Sequence, residues 1–108
     1  LKLCQKLYDF IVWFSPMIGR FPKSQRHLIG FKLCDMCFSL LELIIRANQE
    51  IGNNRQILQQ RISQKYDCLR LTIRAAKDLR LISIKQYTQA ADKLNEMGRM
   101  FQAWQNKN

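Results

Sequence analysis

Apolar residues return every third or fourth position over most of this chain, and nowhere do they alternate one-in, one-out as a half-buried strand requires. Cys4, Leu7, Phe10, Ile11, Phe14 and Ile18 mark a first helix over about residues 1–18, with Pro16 expected to kink or end its last turn. Gly19 to Pro22 is a break, and Ser24 is placed to cap a second helix that runs to about Asn48. Gly52, Asn53 and Asn54 punctuate the next turn. A third helix follows over about residues 55–81, with Leu58, Ile62, Tyr66 or Leu69, Ile73 and Ala76 as its inner stripe. Ser83 three residues before Gln86 has the spacing of a capping box and starts a fourth helix. Tyr87, Ala90, Ala91, Leu94, Met97, Gly98, Phe101 and Trp104 line that helix. The pattern predicts one all-α domain over residues 1–108, an antiparallel up-down-up-down four-helix bundle.

The second helix departs from an ordinary amphipathic pattern. From Leu28 to Ala47, fourteen of twenty residues are apolar, and Lys32, Asp35, Ser39, Glu42 and Arg46 step by three and four along one narrow line. Almost all the rest of the cylinder is apolar, so two sides of it need covering. The other helices cover one. A second copy of the chain or a partner is expected to cover the other; between copies the interface residues are Phe31, Met36, Phe38, Leu40, Leu43 and Ile44. The pairs Lys32–Asp35 and Glu42–Arg46 are spaced to bridge along the helix, each worth about 0.2–0.5 kcal/mol. A membrane span is a poor reading of the stretch, since each of its four charges would cost about 2.5–3.5 kcal/mol near a bilayer centre. Gly98, in mid-helix, costs roughly 1 kcal/mol against alanine. Close approach of a neighbouring helix is the return expected there.

Charge adds a partner class. Eighteen Lys and Arg against eight Asp and Glu give a net charge of +10, which points to an anionic partner, nucleic acid before a membrane surface. From Arg55 to Arg80 seven basic residues face two acids, so the third helix alone carries +5. Arg70, Arg74 and Lys77 step by four and three into one ridge, suited to successive phosphates and sensitive to salt. Arg20, Lys23 and Arg26 form a further basic cluster at the first turn.

Catalysis finds little support. Cys34-Asp-Met-Cys37 is a C-x-x-C, but it falls in mid-helix, where no helix N-terminus lowers a thiol pKa, so Cys4, Cys34, Cys37 and Cys68 read as small apolar residues. His27 is the lone histidine, no carboxylate pair stands out, and there is no glycine-rich phosphate loop. Neither an enzyme nor a metal or other cofactor is expected. The absence of a disulfide pattern and of a signal-peptide pattern leads to a cytoplasmic expectation. An opening Leu1 in place of Met leads to an expectation of sequence upstream.

Several marks occur together in order. Phe14-Ser-Pro16 ends the first helix, and Arg20-Phe-Pro-Lys23 leads into the apolar second helix. Leu69-Arg70-Leu-Thr-Ile-Arg74 lies in the third and Glu96-Met-Gly98-Arg99-Met-Phe-Gln-Ala-Trp104 closes the fourth. With these marks the chain resembles the accessory variability determinants of diversity-generating retroelements, a family close to the four-helix-bundle proteins encoded in 23S rRNA intervening sequences. It departs from that pattern at Gln102, where a glycine is expected before Ala103-Trp104. The resemblance implies a basic homopentameric barrel without catalytic activity. Such a barrel binds the retroelement's reverse transcriptase, together with template RNA and cDNA, and supports mutagenic reverse transcription of a template repeat. Mapped onto this chain, the family's enzyme- and nucleic-acid-contacting basic residues fall on Arg70 and Arg74; Lys77 and Lys23 join them by position. The alternative is an intervening-sequence-type nucleic-acid-binding bundle with no reverse-transcriptase partner.

Overall fold

The computed structural model describes residues 1–107, and among them every regular element is helical. Helix α1 spans Lys2–Gly19. Helix α2 runs over residues 23–49: one α turn (Lys23–Gln25), a π-helical turn (Arg26–Gly30) and a regular α segment (Phe31–Gln49). Helix α3 spans Gly52–Asp78 and α4 spans Ile84–Asn106. Each helix packs antiparallel to its neighbours in sequence, and α4 returns beside α1, closing a bundle of 44 × 23 × 20 Å.

The core forms from one stripe per helix. Leu3, Leu7, Phe10, Phe14 and Met17 of α1 meet Leu33, Cys37, Leu40, Ile44 and Ala47 of α2. Opposite them lie Leu58, Ile62, Leu69, Ile73 and Ala76 of α3, and Ala90, Leu94, Met97, Phe101 and Trp104 of α4. Leu69, not Tyr66, takes the inner position on α3; Tyr66 sits half-buried at the rim. The line on α1 is rotated slightly from the expected one. Cys4, Ile11 and Ile18 lie at its edge, packed against the core from partly exposed positions.

The helix ends follow local chemistry. Ser83 Oγ accepts from the Gln86 N–H (3.0 Å) and the Gln86 side chain accepts from the Ser83 N–H (2.8 Å), the reciprocal box that the spacing predicts. Helix α3 closes in a Schellman motif: the Leu81 N–H reaches the Ala76 carbonyl (2.8 Å) and the Arg80 N–H the Lys77 carbonyl (2.9 Å). That motif needs a left-handed residue, and Arg80 supplies it at φ 62°, where glycine is the usual occupant.

Of the two outcomes expected at Pro16, a kink or an end, the end does not occur, since α1 runs on to Gly19. Three local expectations are corrected. Helix α2 starts at Lys23 behind Pro22, so Ser24 is not its cap. The entry to α2 is a π turn where periodicity predicts regular helix. It brings Gly30 against α1, where a Cβ would stand 3.0 Å from Ile18 Cγ2. Helix α3 begins and ends three residues early. Gly52 turns the chain at φ 58°, and Arg55, expected to open the helix, reaches back to close α2. Its Nε donates to the Ala47 carbonyl (3.0 Å) and its Nη2 to that of Asn48 (3.2 Å).

Candidate nucleic-acid and partner interface

Helix α3 presents Arg70, Arg74 and Lys77 along its outer edge facing α4, and each basic group already has a companion. Arg70 Nη1 donates to the Tyr66 hydroxyl (2.9 Å), and the guanidinium lies 5.5 Å from the centre of the Tyr66 ring. Tyr66 in turn donates to the Leu94 carbonyl across the α3–α4 seam. Lys77 Nζ sits 4.5 Å over the Tyr87 ring and 3.4 Å from Asp78 Oδ1. Arg74, the most exposed of the three, approaches Asp78 only loosely at 3.9 Å. Three basic groups stand against one carboxylate, so the ridge keeps a net positive charge. Exposed pairs of this kind are worth about 0–1 kcal/mol and yield readily to a phosphate.

Lys23 is exposed on the first turn of α2. The alternating directions of the helices bring that turn to the same end of the bundle as the α3–α4 connection. Arg20, Lys23, Arg26, Arg74, Lys77, Arg80 and Lys85 therefore gather toward one end with Asp78 as the acidic residue among them. Lys23 shares this end with the ridge.

The six residues expected to face a neighbouring copy separate into three groups. Leu40 and Ile44 belong to the protomer's own core, each 2% exposed, so their placement at an interface is corrected. They fall on the inward side because α2 turns Leu33, Cys37, Leu40, Ile44 and Ala47 toward α1 and α3. Met36 and Leu43 are half-buried in a groove of about 540 Å³ between α2 and α3. Phe31 and Phe38 stand outward, 71% and 54% exposed, with Ile45 a further two turns along the same line. The charges of α2 do not pair with one another as their spacing suggests. The ion pairs among the described residues are Lys6–Glu96, Arg74–Asp78 and Lys77–Asp78. A few tenths of a kcal/mol per exposed pair does not outweigh side-chain freedom. Lys32, Asp35, Glu42 and Arg46 instead line the α2–α3 groove beside Arg61 and Lys65.

The thiols of the C-x-x-C are held in the protonated form. Burial pushes the Cys37 thiol up to about 12, with Cys34 adding to the rise, and raises Cys34 as well. Neither supplies a thiolate near neutral pH. Among the described residues no three His, Cys, Asp or Glu side chains gather as metal ligands, and no helix is long and apolar enough to cross a membrane.

Sequence reading misses the link that Tyr66 makes between Arg70 and α4. The four-residue step from Tyr66 to Arg70 is a visible signal. Its contact with Leu94 and Gly98, far along the chain, is not.

The described residues form a compact helical bundle with a basic ridge along the α3–α4 edge. The chain belongs to the bAvd-like family, whose model matches residues 1–108. It is an Avd-type protein, of the accessory, non-catalytic kind found with retroelements. Among curated proteins no relative matches it.

Proposed function

We propose that this chain is the accessory subunit of a diversity-generating retroelement, assembling as a homopentamer that binds the reverse transcriptase and its template RNA and cDNA. Family membership over residues 1–108 is the observation that carries this reading. The ridge supports it physically. Five copies would bring together a charge of about +50, and phosphates released from their counterions would bind in a salt-dependent way. Arg70 and Arg74 take the enzyme and nucleic-acid contacts, with Lys77 and Lys23 extending the basic track. Phe31 and Phe38 cover a neighbouring copy, and Met36 and Leu43 contribute through the edge of the groove. The protein holds the nucleic acid and enzyme together, and the chemistry is the enzyme's.

The test is binding of a fluorescein-labelled single-stranded RNA by anisotropy over a salt series. Arg70→Ala with Arg74→Ala should weaken binding roughly tenfold or more at moderate salt. The salt slope should flatten by about 0.7 for each phosphate that is no longer neutralised, while helicity is retained. Wild-type binding by the double variant would remove the ridge from the site.

A further inference from the structure

Arg70 is the one residue of the ridge that is anchored through a chain of hydrogen bonds into another helix. The Tyr66 hydroxyl accepts from Arg70 Nη1 at 2.9 Å and donates to the Leu94 carbonyl of α4. The same ring lies under the guanidinium at 5.5 Å. The hydroxyl fits there because α4 carries Gly98 at that point. A Cβ on that residue would stand 2.8 Å from the Tyr66 oxygen and 3.5 Å from its ring carbon Cζ. A mid-helix glycine, unfavourable in helix propensity, is thus matched to one hydroxyl on the facing helix.

We propose that Tyr66, seated against α4 by Gly98, is a positioning residue that holds the Arg70 guanidinium in place for an anionic partner. The inference rests on Arg70 being a partner contact, as proposed above. An exposed arginine must give up side-chain freedom when it grips a phosphate. Here one N–H is held by the tyrosine oxygen and the guanidinium carbon lies 5.5 Å from the ring centre, so the orientation is set beforehand. Five N–H donors belong to a guanidinium and one is used, which leaves the others for the ligand. Arg74 and Lys77 have no such anchor to a neighbouring helix through a hydroxyl; their shared carboxylate lies on α3 itself.

The test is a double-mutant cycle read with the same labelled RNA. Tyr66→Phe keeps the ring and removes the hydroxyl, and should weaken binding roughly threefold, the scale of a single hydrogen bond. In an Arg70→Ala background the same change should have no further effect, because Tyr66 acts only through Arg70. A merely structural tyrosine would lower binding in both backgrounds alongside the melting temperature, and that result overturns the proposal. Gly98→Ala provides a second route: its methyl group displaces the hydroxyl and should reproduce the weakening with Arg70 intact. If Arg70→Ala weakens binding while Tyr66→Phe and Gly98→Ala bind as wild type, positioning is wrong and the ridge stands. If Arg70→Ala itself binds as wild type, the assignment of Arg70 fails and the proposal falls with it.

Discussion

The outer face of α2 and the basic ridge of α3 are both charged and both accessible, yet they are built in opposite ways. On α3, Arg70, Arg74 and Lys77 each have a partner inside the protomer, two of them over aromatic rings. On α2, Lys32, Asp35, Glu42 and Arg46 form no ion pair among the described residues, and Phe31, Phe38 and Ile45 stand in solvent beside them. Of these three, Arg70 alone is tied through a hydroxyl to a neighbouring helix, while Arg74 meets Asp78 only loosely at 3.9 Å. The α2 face leaves its large side chains Phe31, Phe38 and Ile45 exposed in the single chain. A set of exposed aromatics at two-turn spacing is the kind of surface another helix covers.

The sharpest way to break this contrast is at the α2 face. Phe31→Ser with Phe38→Ser should leave a folded, helical protomer but shift the mass measured by light scattering to the single chain. Each buried phenylalanine is worth about 1.5–3 kcal/mol, enough to matter at every copy of a repeated interface. An assembly of unchanged mass would show that these rings do not hold it together. Leu40→Ala separates the two sides of the same helix. It should cost about 2–5 kcal/mol of folding stability in denaturant, since that residue lies in the protomer core.

The outcome of those two substitutions follows a division that sequence reveals only in part. Helix number, the breaks and the Ser83–Gln86 box are legible because each depends on residues close in the chain. The value of Gly98 is legible as a need for close approach; the Tyr66 hydroxyl that fills the space is not. Sequence alone puts Leu40 and Ile44 on the wrong side of α2. An almost wholly apolar cylinder gives no clear phase, and the π turn at Arg26–Gly30 alters the phase of what precedes it. The α2 charge pairs fail for the opposite reason, since spacing permits a bridge and does not supply the energy to fix it.

Smaller changes sharpen the picture at the turns and along the α1–α4 seam. Arg80→Gly should raise stability by about 0.5–1 kcal/mol, seen as a higher denaturant midpoint at constant slope, because a left-handed residue with a side chain is replaced by one without. RNA affinity should fall only slightly with the removed charge, whereas the Arg70 and Arg74 changes reduce affinity and spare stability. The smallest effect is at Glu96, whose carboxyl is held below its ordinary range by the hydrogen bond from Lys6, by the Lys6 charge and, less, by Arg99 and Lys93. A carboxylate depressed in the folded state contributes above its unfolded pKa and loses that contribution as pH falls through the folded one. Wild type should therefore melt slightly above Glu96→Gln at neutral pH, and the two curves should converge on acidification below the usual carboxylate range.

The most direct measurement is co-purification of the chain with the reverse transcriptase encoded at the same locus, with and without nuclease, using wild type and the Arg70→Ala, Arg74→Ala variant side by side. The enzyme should be recovered with wild type, and its yield should fall sharply with the variant. Recovery of no enzyme with either protein would contradict an accessory-subunit role and leave a nucleic-acid-binding bundle without that partner.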